Sequence, residues 1–130
     1  MAKQRTDPRP TDAELSILRI LWRRGPSTVR EVHEELSRER STVYTAGLKL
    51  LQIMTEKGLV TREESGRAHI YSPRQSEEQA QGGLVMDLLD RAFDGSAQQL
   101  VMRALTARKA SPEELAQIRR LLDELEGGEP

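Results

Sequence analysis

Between Ser41 and Tyr71 the spacing of apolar residues changes from a helical to a strand-like period. Gly47, Leu50, Leu51 and Met54 recur three and four residues apart, which stacks them on one face of a helix. The opposite face carries Thr45, Leu48, Lys49 and Gln52, with Tyr44 at its start. These supply a hydroxyl, an ammonium, an amide and an apolar group suited to a thymine methyl. Lys57-Gly58 reverses the chain, and Val60 to Glu64 and Ala68 to Tyr71 then alternate as two antiparallel strands. Their Ser65-Gly66-Arg67 connection needs a residue at positive φ, which Gly66 supplies. A polar helix face taken alone describes any surface helix. Followed by a hairpin, it has the form of the recognition half of a winged helix-turn-helix.

Two helices are expected upstream. Thr11-Asp12-Ala13-Glu14 is a capping box, with Leu15, Leu18, Leu21 and Trp22 as the buried stripe and Gly25-Pro26 as the stop. Thr28-Val29-Arg30-Glu31 repeats the capping pattern, and Val29, Val32 and Leu36 give a narrow apolar face. His33 lies beside that face without a second histidine at ligand spacing, so it reads as structural. Arg38 and Arg40 fall where a helix-turn-helix runs along the phosphate backbone and are assigned to positioning. Arg67 at the hairpin tip, with His69 behind it, falls where a wing meets phosphate or the minor groove. Residues 1–10 show no periodicity and read as a flexible tail, leaving a DNA-binding domain over 11–72.

Residues 73–83 are polar, begin with Pro73 and end with Gly82-Gly83, and read as a linker or a weak first turn. Three more helices are expected over 84–126. The first carries Leu88 and Leu89, the second is capped by Ser96 and carries Leu100 and Leu105. The last opens at Ser111-Pro112-Glu113-Glu114 and presents Leu115, Ile118, Leu122 and Leu125. Three such helices have more apolar surface than they can hide alone, which predicts pairing with a second copy through those leucines and Ile118. The fold class is therefore mostly α with a small β-hairpin wing, a winged helix-turn-helix domain followed by a helical dimerisation domain.

Composition changes this picture in one respect. The net charge of −1 argues against a nucleic-acid partner until the chain is divided. Residues 1–74 hold 14 Lys/Arg against 10 Asp/Glu for +4, and residues 75–130 hold 6 against 11 for −5. A basic half joined to an acidic half confines the electrostatic footprint to one end. With 36 % hydrophobic residues and no apolar run near 18, no membrane insertion and no secretion are expected, and the compartment read is cytoplasmic. There is no cysteine, hence no disulfide or thiolate site. Neither a P-loop nor a dinucleotide fingerprint nor a nucleophile elbow is present, and the two histidines are far apart in sequence, so no enzyme, no cofactor and no metal are expected.

Ala13-Glu14-Leu15 with Leu21-Trp22, Thr28-Val29-Arg30-Glu31-Val32, Tyr44-Thr45 with Leu51-Gln52, Glu56-Lys57-Gly58-Leu59-Val60 and Gly66-Arg67-Ala68-His69-Ile70-Tyr71 together resemble the penicillinase-repressor family, the BlaI and MecI repressors with the copper-responsive CopY branch. The resemblance implies a homodimeric transcriptional repressor on a palindromic operator of double-stranded DNA, with a C-terminal dimerisation domain. It also implies release by a membrane sensor metalloprotease cutting that domain, at a place corresponding here to Arg103-Ala104. Gly47 stands where the family has an aliphatic residue, the copper branch's cysteine motif is missing, and Arg103-Ala104 does not match the Asn-Phe pair of staphylococcal members. Two other functions suit the same architecture: a ligand-sensing winged-helix regulator of the multiple-antibiotic-resistance type, and a winged helix used only for protein contacts. The first needs a pocket between heads and dimer helices; the second has no salt-dependent DNA affinity.

Overall fold

A computed structural model describes residues 9–39 and 43–127, so Arg40 lies outside the described residues. The elements run α1 (Asp12–Arg24), α2 (Val29–Glu39), α3 (Tyr44–Lys57), β1 (Val60–Ser65), β2 (Ala68–Pro73), α4 (Glu77–Ala92), α5 (Ala97–Ala107) and α6 (Pro112–Gly127). They divide into two units, residues 1–84 and 85–130.

Local capping chemistry sets most helix starts in the expected places. Thr11 and Glu14 exchange bonds with each other's backbone N–H at 2.9 and 3.2 Å, and Thr28 and Glu31 repeat the arrangement at the same distances. Ser96 caps α5 through the Gln99 N–H, and Ser111 with Glu114 closes a third box at α6. Each box satisfies two of the donors a helix start leaves orphaned. α3 differs. Its N-cap is Val43, extended at φ −97°, which offers no side-chain cap.

In the first unit α1, α2, α3 and the hairpin close around Ile17, Leu18, Ile20, Leu21, Val29, Val32, Leu36, Leu51, Met54, Val60 and Tyr71. The stripe expected on α1 is thus displaced. Ile17 and Ile20 are fully buried, whereas Leu15 and Trp22 only flank the core. The helix touches α2, α3 and β2, so it is covered over a wider arc than one neighbour would give. Trp22 is instead held at the edge, its Nε1 donating to the Gln75 carbonyl at 3.0 Å.

β1 and β2 pair antiparallel with Val60 opposite Pro73 and Ser65 opposite Ala68. The hairpin extends one residue further on β1 and two further on β2 than the alternation indicated. Ser27, just before α2, forms an isolated bridge to Tyr71, with N–H to carbonyl distances of 3.0 and 2.8 Å in the two directions. That bridge places the start of α2 beside the wing.

The expected linker over 73–83 is corrected from Glu77 onward, where α4 has already begun. Ser76 and Gln79 cap it reciprocally at 3.1 Å, and this local chemistry overrides the two mid-helix glycines, each costing about 1 kcal/mol in propensity.

In the second unit the helices from Val85 onward bury no residue at all. Met86 is 58 % exposed, Leu122 53 % and Leu125 72 %. Leu88 is also exposed, while Leu89, Leu100, Leu105, Leu115 and Ile118 are half-buried. Asp94 at φ 51° and Gly95 at φ 78° make the turn between α4 and α5.

Candidate nucleic-acid interface

α3 is anchored at its far end by Gly58, which takes φ 84° and ψ 16° and donates to the Met54 and Thr55 carbonyls. Leu59 N–H also reaches the Met54 carbonyl at 2.9 Å, so the last turn is closed by backbone alone. Leu51 and Met54 enter the core, and Gly47 is buried against α2. A Cβ built on Gly47 would meet only Leu36 Cδ1, at 4.0 Å, so packing does not require glycine there.

With that face buried, Thr45, Lys49 and Gln52 are exposed on the outer face at four- and three-residue spacing. Leu48 behaves differently from its expected neighbours: it is half-buried and packs against the core. Tyr44 is 43 % exposed, and its ring meets His33 edge-on at 5.6 Å. Val43 beside it is 64 % exposed, an apolar group on the same end of the helix that the sequence reading did not single out.

The wing tip places Arg67 in solvent next to Gly66 at φ 63°. His69 sits behind it, half-buried, its Nδ1 enclosed without a hydrogen-bond partner among the described residues; the same holds for His33 Nδ1. Thr28, Arg30, Tyr44, Leu48, Arg67 and His69 line one open cleft of about 410 Å³, between the starts of α2 and α3 and the wing. Four sequence-selected residues thus meet there: Tyr44 with Leu48 on the helix, and Arg67 with His69 on the wing. Thr28 and Arg30 join them only because the Ser27–Tyr71 bridge draws α2 to the hairpin.

Charge on this unit is divided by pairing. Arg23, Arg24 and Arg38 lie within 4.0 Å of carboxylates from Glu31, Glu35 and Glu39. Arg38, expected to position phosphate, is exposed at the end of α2 but pairs with Glu35 at 3.3 Å. The Glu31 carboxyl is held below its ordinary value of 4.5, chiefly by the Thr28 N–H and further by the Arg24 guanidinium, against a partial opposing cost of burial. Among the described residues Arg30, Lys49 and Arg67 make no ion pair, as is also true of Arg19, Arg62 and Arg74. No cluster of His, Asp or Glu able to hold a metal ion occurs among the described residues.

Residues 10–124 match the penicillinase repressor family. The chain belongs to that family. Over 118 residues it is 37 % identical to the transcriptional regulator BlaI of Mycobacterium tuberculosis, covering 90 % of this chain and 85 % of that protein. The penicillinase repressor of Bacillus licheniformis is 26 % identical over 121 residues, covering 90 % and 91 %. The solution structure of the DNA-binding domain of the repressor BlaI superposes with a TM-score of 0.50 at 26 % identity, covering 57 % of this chain and 90 % of that domain. The mostly helical winged-helix fold with its two-stranded hairpin is therefore the family's own. The relatives are regulators rather than enzymes. Among the described residues no helix is long and apolar enough to cross a membrane.

Proposed function

We propose that this DNA-binding transcriptional repressor acts in the cytoplasm as a homodimer on a palindromic operator, reading bases with α3 and holding the backbone with the wing. Thr45, Lys49 and Gln52 carry the sequence reading, Tyr44 and Leu48 support it from the helix start, and Arg38, Arg40, Arg67 and His69 serve the phosphates. The observation that carries the dimer is the absence of any buried residue in α4, α5 and α6 beside exposed Met86, Leu122 and Leu125. A second copy covers Leu88, Leu89, Leu100, Leu105, Leu115, Ile118, Leu122 and Leu125, removing apolar surface worth about 25 cal/mol per Å².

Linking two heads makes the second half-site encounter intramolecular, at an effective concentration on the order of millimolar. Separating them weakens binding by roughly 10² to 10⁴-fold without altering any DNA contact. Cleavage by a membrane sensor metalloprotease at Arg103-Ala104 would do this, since it detaches α6 while leaving the core of the first unit whole. Both residues are exposed but lie inside α5, so a protease must first unwind a turn of that helix.

The test is selection of duplexes from a random pool, followed by sedimentation of the parent chain and Leu122→Glu with the selected DNA. A palindromic site is expected, with the parent sedimenting as a dimer and the variant as a monomer that loses at least 10²-fold in affinity. Recovery of no enriched sequence, or an unaltered dimer in the variant, overturns the proposal.

A further inference from the structure

The cleft beside the recognition helix contains a cation, on an element other than α3 and the wing, that the proposed contacts leave unused. Arg30 is exposed in the first turn of α2 and lines the cleft with Arg67 of the wing tip. Among the described residues neither arginine makes an ion pair. The carboxylates nearest to Arg30 in sequence are engaged or unpaired with it: Glu31 turns to the Thr28 N–H and to Arg24 at 3.2 Å, and Glu34 forms no ion pair. On the wing, Glu64 stands opposite His69 in the register and makes no ion pair with Arg67 among the described residues. Among the described residues no carboxylate lines the cleft, and its other polar side chains are those of Thr28, Tyr44 and His69. The pairing elsewhere on this unit makes the contrast sharper, since Arg23, Arg24, Arg38 and Lys57 all have carboxylate partners.

From this arrangement we infer that Arg30 and Arg67 form a two-sided seat for one DNA backbone phosphate, which fixes how far α3 enters the groove. The inference rests on the DNA-binding reading and deepens it. Two guanidiniums from different elements lining one cleft offer planar donor forks to a single phosphate, and neither must break a salt bridge first. Leu48 and the ring of Tyr44 line the same cleft and add apolar surface beside the two cations. Because phosphates are the same at every base pair, the seat positions the head without selecting sequence.

The experiment measures binding of the full chain to a random-sequence 30-base-pair duplex as a function of salt. Arg30→Gln, Arg67→Gln, Arg30→Lys and Arg19→Gln are compared with the parent. Arg19→Gln removes an equally unpaired charge from α1 away from the cleft. A protein neutralising Z phosphates shows a slope of about −0.9Z in log affinity against log salt. Arg30→Gln and Arg67→Gln are each expected to flatten that slope by part of one, since the remaining arginine still neutralises the shared phosphate. The double variant Arg30→Gln with Arg67→Gln, measured alongside them, is expected to flatten the slope by about one in all, because both arginines serve the same phosphate, and flattening by about two overturns the sharing. Arg30→Lys should retain most of the slope and Arg19→Gln all of it. An unchanged slope in Arg30→Gln, or the same loss in Arg19→Gln, overturns the seat. A parent chain with no salt-dependent affinity would instead overturn the DNA-binding reading itself. Since Arg30 is exposed and unpaired, an unaltered melting curve establishes that its variants fold.

Discussion

Glu14 and Lys57 meet at 2.7 Å with their side chains only 3 % and 7 % exposed, tying the first turn of α1 to the last turn of α3. The same Glu14 oxygen accepts the Thr11 N–H, and the Lys57 ammonium also donates to the Arg9 carbonyl at 3.1 Å. One carboxylate thus completes a helix cap and neutralises a buried ammonium. Removing one partner of such a pair leaves an uncompensated buried charge, which costs about 3 to 5 kcal/mol. Lys57→Met is expected to destabilise the first unit by that amount. Trp22, the one tryptophan, sits in this unit, so its fluorescence during urea unfolding reports it selectively. Adding Glu14→Gln should recover part of the loss, because glutamine still accepts from Thr11 and carries no charge. A double variant less stable than Lys57→Met alone would contradict this account.

Gly47→Ala should stabilise the recognition helix. The added methyl finds ordinary contact with Leu36 at 4.0 Å, and exchanging glycine for alanine inside a helix contributes about 1 kcal/mol. Gly47 is on the buried face, so DNA affinity should remain at the parent level. An unfolding midpoint at or below the parent's would show that the α2–α3 approach is tighter than this geometry.

The Glu31 cap should make part of the stability of α2 dependent on acid. Its carboxyl is depressed in the folded chain by the Thr28 N–H and Arg24, so in that pH range the unfolded chain binds more protons. The contribution is complete above the ordinary carboxylate value of 4.5 and is lost as pH falls through the lower folded value. Glu31→Gln retains an acceptor for the cap but does not titrate. The stability difference between parent and variant should therefore shrink between pH 6 and pH 3. A constant difference would assign the cap's effect to packing alone.

Lys49 and Gln52 are expected to carry base discrimination, since both are exposed on the outer face of α3. Replacing either with alanine should cost about 1 to 3 kcal/mol on selected DNA and much less on random duplex, relaxing the preference at one base pair. Competition titrations read this difference directly. Equal losses on both duplexes would move these side chains from the bases to the backbone.

Features governed by neighbours three or four residues apart were legible in the chain itself. The Thr11–Glu14, Thr28–Glu31 and Ser111–Glu114 boxes, the glycine stop after Lys57, the wing turn at Gly66 and the outward stripe of Thr45, Lys49 and Gln52 all follow from helix and hairpin periodicity. So did the head with its apolar helices beyond, although Ser76 and Gln79 begin α4 inside the expected linker. Tertiary structure alone decided what meets across long separations. It buried Ile17 and Ile20 by covering α1 on several sides, bridged Ser27 to Tyr71, and joined Glu14 to Lys57 across 43 residues. It also brought Arg30 to the cleft of Arg67, a placement for which α2's own sequence contains no signal. A repeating spacing specifies which side chains share a face, but which faces meet is set by packing a finite core, and that information is distributed over every element that packs.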